Sequence, residues 1–291
     1  MNFFFHAVYD SIFSWRLQES GLRGTMGRMN EVVMTKELAH ARESEGIADS
    51  KEHEPDQEIE EMIKAGIHLG HAKTKNHPSM QEYFFGVRNT LSIIDLVKTK
   101  EKLASAREFV KGVARNGGLI LLVGTRPAAR KVIVDLAERT VMPYFVERWI
   151  GGTLTNFKVI SKRVEYMQTL EREKMSGDFE KYTKWERMKK EEEIVRLRRF
   201  FEGLRTLTRL PEAVLIVDTT HDTTAVREAR RMKISLVALV DTNANADLID
   251  YPIPSNDDAL PAVRYMVRKI GEAIEEGQRQ KEGMPNDKIQ T

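Results

Sequence analysis

Three side chains in this sequence could hold a divalent cation: His71, Asp218 and Asp241. Both aspartates end an apolar run, "LIVD" at 215–218 and "LVD" at 239–241. If those runs are neighbouring strands, two carboxylates meet at one sheet edge, and a histidine from "HLGH" (68–71) could complete a ligand set of hard oxygens and one imidazole. "DTT" and "DTN" equally invite turns in which each aspartate binds its own backbone. The H-x-x-H spacing of His68 and His71 says little on a loop. His221 beside Asp222 has the types of an acid–base pair, or of a turn that starts a helix. No nucleophile elbow, H-E-x-x-H zinc motif, kinase signature or deaminase signature is present. "VGTRPAAR" (123–130) has one glycine where phosphate cradles need several, so neither a dinucleotide fingerprint nor a P-loop is formed.

Cationic chemistry is better represented. "HAKTKNHP" offers Lys73 and Lys75, "FGVRNT" offers Arg88, and "GTRPAAR" offers Arg126 and Arg130. "RWIGGTLTNFKVISKR" (148–163) combines Arg148 and Trp149 with Gly151, Gly152, Thr153 and Thr155, then Lys158, Lys162 and Arg163. Glycines let backbone N–H groups approach a phosphate, hydroxyls add neutral donors, and the cations add charge. The same stretch also reads as a tight connection into a helix capped by Thr155 or Asn156. Trp149 is expected in the core.

The chain has 291 residues, no cysteine and a net charge of +2. That charge hides a division: residues 61–209 carry +12 between two acidic ends. Such polarity points to a polyanionic partner. Without cysteine there are no disulfides, thiolate metal sites or cysteine nucleophiles. The longest apolar run, "LILLV" at 119–123, is far too short for a membrane span.

The elements that must position these residues are legible from about Glu58. "EIEEMIKAG" predicts a short helix with Ile59, Met62 and Ile63 on one face. "YFFGV" and "LSIID" are β-type runs around a turn at "RNT". A helix follows with Leu103, Ala106, Phe109, Val110 and Val113 at helical spacing, stopped at Gly117. "LILLVG", "AVLIVD" and "SLVALVD" are continuous apolar runs, the mark of parallel strands buried on both faces. Helices at "RPAARKVIVDLAERT", "DTTAVREARRM" and from about Asp257 complete a doubly wound α/β rhythm.

Residues 157–209 interrupt that rhythm. Phe157, Ile160, Val164, Met167 and Leu170 form one apolar stripe. Trp185, Met188, Val195, Leu197, Phe201 and Leu204 are expected to form a second, after a capping box at Thr183 and Glu186. The spacing predicts an antiparallel, coiled-coil-like helical hairpin whose second helix reaches roughly 35–40 Å. The expected divisions are an acidic, disordered extension or mis-assigned start at 1–57, the α/β domain at 58–156 and 210–277, the hairpin insertion at 157–209, and a disordered tail at 278–291.

The blocks "IKAGIHLGHAKTKNHPSMQEYFFGVRNTLSIIDLVKT", "VGTRPAARKVI", "RWIGGTLTNFKVISKRV", "LPEAVLIVD" and "AVREARRMKISLVALVDTNANADLIDYPIPSNDDA" closely resemble the bacterial ribosomal protein S-two family. The match runs in order from about Glu58 to about Gly277. The resemblance implies a flavodoxin-like α/β domain with an inserted helical hairpin. It implies a structural constituent of the small ribosomal subunit in the cytoplasm, bound to small-subunit rRNA without catalysis. It also implies neighbouring small-subunit proteins, ribosomal protein S-one among them, as partners, with no membrane and no small-molecule substrate. No cofactor is required, though some members carry a cation near the histidine loop. The rival reading is an α/β enzyme or nucleotide- or metal-binding protein working at the Asp218–Asp241 edge.

Overall fold

The computed structural model describes residues 56–282. The expectations for 1–55 and 283–291 lie outside the described residues. Helix α1 (Gln57–Lys64) starts at Asp56, whose carboxylate accepts the N–H of Glu58, and buries Met62 and Ile63. Strands β1 (Leu69–Ala72), β2 (Phe84–Arg88) and β3 (Leu91–Ile94) form an antiparallel sheet in the order β1-β3-β2. The β2–β3 turn is the expected one: Asn89 and Thr90 both take positive φ, as a two-residue hairpin loop demands. β1 arises inside the stretch read as a loop around His68 and His71.

The main sheet is parallel. It contains β4 (Ile120–Val123), β5 (Tyr144–Phe145), β6 (Ala213–Ile216), β7 (Ser235–Val240) and β8 (Tyr251–Pro254), in the order β5-β4-β6-β7-β8. Counted within this sheet, that is the 2-1-3-4-5 order of doubly wound sheets. Every residue of β4 and β6 is buried. Leu121, Val123, Val214, Ile216, Leu236, Ala238 and Val240 belong to one cluster with Ala225, Val226 and Ala229 of helix α6 (Thr223–Met232). Alternation sends Ile120, Leu122 and Leu215 to the other face. Helices α2 (Leu96–Arg115), α3 (Pro127–Thr140) and α7 (Leu260–Glu282) pack together and against the sheet. Edge strand β8 carries Pro252 and Pro254, residues that an edge tolerates because a missing N–H breaks no ladder there.

The expected tail at 278 is corrected. α7 continues to Glu282, and Gln278 Nε2 donates to the Thr140 carbonyl at 2.7 Å, tying the last turns to α3.

Helices α4 (Phe157–Met175) and α5 (Lys184–Phe201) leave the sheet after β5 and return before β6. Late α4 residues bond early α5 residues, Lys174 to Glu191 at 2.9 Å and Glu173 to Lys190 at 3.3 Å, while Tyr166 reaches Glu193. Ile160, Val164, Met167 and Leu170 pack with Ile194, Leu197 and Phe201 in the same cluster as the sheet face. The Thr183–Glu186 capping box is present in full. Two expectations for α5 need correction. Trp185, Met188 and Val195 are exposed, at 59%, 51% and 69%, because Ile194 rather than Val195 turns toward α4. The helix is also shorter than expected, 18 residues or about 27 Å. It gives way to a 3-10 turn where Gly203 is pressed against the Tyr144 carbonyl. Among the described residues, no helix is long and apolar enough to cross a membrane.

Candidate nucleic-acid interface

The stretch 148–157 folds around an acid that comes from elsewhere in the chain. Glu228 on α6 is buried, and its Oε1 accepts Trp149 Nε1 at 3.1 Å and Gly152 N at 2.7 Å. Oε2 accepts Leu154 N at 3.0 Å, with Thr155 N and Oγ1 both at 3.1 Å. Five donors converge on one carboxylate. Burial opposes its ionisation, but the N–H groups outweigh burial and hold Glu228 below its ordinary value. Thus the backbone donors expected to meet a phosphate already have an anion.

Around that anchor the other roles sort themselves. Gly152 takes φ +92°, a conformation that favours glycine, whereas a side chain at Gly151 would enter open space. Thr153 is buried, its hydroxyl donating to the Ile150 carbonyl at 2.6 Å. Asn156 stands at the α4 N-cap without a side-chain bond, and Thr155 gives its hydroxyl to Glu228. Trp149 is buried as expected, with its ring tilted against Phe145 at 5.2 Å between centroids.

The cations remain outside. Arg148, Lys158, Lys162 and Arg163 are exposed, and among the described residues no carboxylate lies within ion-pair distance of any of them. Lys158 and Lys162 are four apart on α4, flanked by exposed Val159 and by Tyr166, opposite the buried row Ile160–Val164–Met167. Lys73 and Lys75 are also exposed. The Lys73 N–H donates to the Thr90 carbonyl at 2.9 Å, so this loop sits beside the hairpin turn that follows Arg88. Arg126 and Arg130 differ from expectation. Arg126 ion-pairs with Asp218 and Asp258, and Arg130 donates to the Thr125 carbonyl at 3.0 Å and reaches Glu147 at 3.4 Å. Both therefore have acidic partners within the protein, unlike the cations of α4.

The carboxyl edge of the parallel sheet is likewise filled from within. Thr125, after β4, bonds Asp222 at 2.9 and 3.0 Å and lies 2.7 Å from His221 Nδ1. Asp218 Oδ1 accepts Thr220 N, Thr220 Oγ1 and His221 N, the turn its sequence invites. β6 and β7 are neighbours, so Asp218 and Asp241 do end adjacent strands. His71 does not bridge them. Its Nδ1 meets Asp241 at 3.0 Å and its Nε2 meets Asp258 at 3.3 Å, while Arg126 lies on Asp218. Among the described residues, no group of three or more acidic or histidine side chains is arranged to hold a metal ion. The guanidinium sits where a cation would balance these acids. Asp257 is buried beside them with both oxygens unpartnered, and burial together with Asp218 and Asp241 pushes it up to about 8.

Sequence reasoning missed Glu228 and Asp257. A signal for Glu228 existed: it shares the apolar face of "AVREARRM" with Ala225 and Ala229, a poor place for a charge without a partner.

The order of the parallel sheet, with its carboxyl edge occupied by the protein's own side chains, defines an α/β domain of the doubly wound kind. Residues 62–277 match the family model of Ribosomal protein S2. Relatives named small ribosomal subunit protein uS2 agree. That of Dehalococcoides mccartyi is 42% identical over 77% of this chain and 91% of its own. That of Chloroflexus aurantiacus is 44% identical over 77% and 94%. That of Roseiflexus castenholzii is 42% identical over 78% and 86%. The chain belongs to the ribosomal protein S2 family, whose members are structural and non-enzymatic.

Proposed function

We propose that this protein is a non-catalytic constituent of the small ribosomal subunit, in the cytoplasm, and that its basic surface binds small-subunit rRNA. The carrying observation is the first half of α4: Lys158 and Lys162 share its outer face, Arg163 is exposed on its flank, and among the described residues none of the three has a carboxylate within ion-pair distance. Phosphates supply the missing anions, and counterion release supplies affinity. The shape of folded RNA sets position. Arg148 and the loop of Lys73 and Lys75, next to Arg88, extend the surface; Gly151, Gly152 and Thr153 shape the backbone that presents it. Arg126 and Arg130 lie outside the proposed surface. In this reading α4 and α5 act as a coiled-coil arm inserted into the α/β body, and Arg126 supplies positive charge to Asp218 at the edge where His71 meets Asp241. Neighbouring small-subunit proteins, ribosomal protein S-one among them, are its protein partners.

The test is incorporation. The triple variant K158E/K162E/R163E is expressed in cells, and its share in small subunits is measured by sedimentation. A several-fold loss is expected. Normal incorporation by a folded variant would count against α4 as an rRNA contact.

A further inference from the structure

Helix α6 carries three arginines and one glutamate, and the glutamate does not offset them at the surface. Glu228 turns inward to the elbow at 152–155. Arg230 is tied down on the other flank, its Nη1 donating to the Leu248 carbonyl at 2.8 Å. An α-helix turns about 100° per residue. Going round the outer side of α6 from Glu228, Arg231 therefore comes first, about 60° away, then Arg227 at about 100°, and Arg230 last at about 160°. Arg227 and Arg231 are thus forced onto the crown between two anchored flanks, opposite buried Ala225, Val226 and Ala229. Both are exposed, and among the described residues neither has a carboxylate within ion-pair distance.

Hydrogen bonds also fix what lies on either side. Beyond the Glu228 flank is the elbow that starts α4, with Lys158, Lys162 and Arg163. Beyond the Arg230 flank is the loop 245–248, whose Ala246 N–H donates to Ser79 Oγ at 2.9 Å. That serine follows His77, whose N–H donates to the Thr242 carbonyl at 2.8 Å, and His77 follows Lys73 and Lys75 in one short loop. α6 stands between the two basic clusters.

We infer that Arg227 and Arg231 form the middle of one continuous phosphate-binding surface, joining the α4 stripe to the Lys73–Lys75 loop. This rests on the rRNA reading above and extends it to a helix that carries no expected site residue. The experiment is re-binding of purified protein to small subunits depleted of it, measured by co-sedimentation from 50 to 200 mM salt. Each phosphate contact contributes roughly 0.7–0.9 to the slope of log affinity against log salt. R227Q/R231Q is expected to flatten that slope by about 1.4–1.8 and to weaken binding several-fold at the lower salt. R227K/R231K, which keeps the charge, should retain the slope. A wild-type slope in R227Q/R231Q overturns the inference and leaves the rRNA reading standing, as does equal flattening in R227K/R231K, which would assign the effect to structure. Wild-type binding that barely changes with salt overturns the rRNA reading itself.

Discussion

Gly152 donates its backbone N–H to Glu228 Oε1 at 2.7 Å, across 76 residues of sequence. The glycine elbow is an anion nest whose anion is part of the protein. One carboxylate collects donors from Trp149 through Thr155, and so fixes where α4 leaves the body and how it points. The same arrangement has an electrostatic consequence. The acid faces inward, so it does not pair with the cations on either side of the elbow.

Glu228→Gln should therefore destabilise the protein although it changes few atoms. An amide keeps one acceptor oxygen and turns an NH2 against two or three of the five donors. Leaving such buried donors without partners costs roughly 2–4 kcal/mol in all. Urea unfolding should show the loss at pH 7. Glu228 is depressed in the folded state, so its stabilisation is present above the unfolded carboxylate value of about 4.3. It is lost as pH falls through the folded value. The variant should accordingly lose less stability on acidification than the wild type does. Identical acid profiles would show that Glu228 is not the anchor.

The two glycines of the elbow should part company. Gly151→Ala places a methyl in open space and should change stability by no more than about 0.5 kcal/mol in either direction. Gly152→Ala forces a Cβ onto a backbone at φ +92°, 3.4 Å from the Asn156 Cβ, and should cost about 1–2 kcal/mol. Paired urea midpoints decide the matter; equal shifts would mean that the elbow relaxes.

Legibility followed the range of the interactions. β4, β6 and β7 were readable because burial on both faces leaves unbroken apolar runs. α4 was readable because one side of it is wet. β5, two residues long, and β8, with two prolines, carry no strand signal of their own and exist because a neighbour offers a ladder. The stripe on α5 was placed one residue off near Val195, since Val195 and Ile194 are equally apolar and only packing against α4 chooses between them. The basic residues of the proposed surface are visible by type. Which of them pair internally is not, because the Asp218, Asp258 and Glu147 partners of Arg126 and Arg130 lie far off in sequence or look like ordinary surface acids.

Asp257 should show the opposite pH sign from Glu228. Its folded value is pushed up to about 8 by burial, with Asp218 and Asp241 adding to the effect. The folded state therefore holds a proton that the unfolded chain releases near 3.9. The resulting stability is complete below that value and drains away as pH rises toward 8. Asp257→Asn keeps the neutral shape and cannot ionise. Its melting temperature should match the wild type near pH 4 and exceed it by several degrees at pH 8–9, where about 1 kcal/mol is worth about 2–4 °C in a domain of this size. A variant less stable than wild type at pH 9 would mean that the ionised carboxylate has a cationic partner.

Glu171, in the last turns of α4, ties that helix to the end of α5 and the turn beyond it. Buried on α4, it takes two bonds of 2.7 Å from Arg205 and a further one from Arg198. Arg205, the larger influence, and Arg198 together outweigh burial and hold the carboxyl at about 2. This depressed acid stabilises the fold above the unfolded value of about 4.3, and the contribution fades as pH falls toward 2. Both arginines are partly exposed, so solvent screens part of the attraction. Glu171→Gln should cost about 1–3 kcal/mol rather than the larger figure for a fully buried pair. The loss should also be local. Arg198 and Arg205 belong to the end of α5 and the turn beyond it, so amides in α4 and α5 should exchange with deuterium faster, while those of β4, β6 and β7 keep their protection. Uniform acceleration across the sheet would mean instead that the hairpin and the body unfold as one unit, as their shared apolar cluster permits.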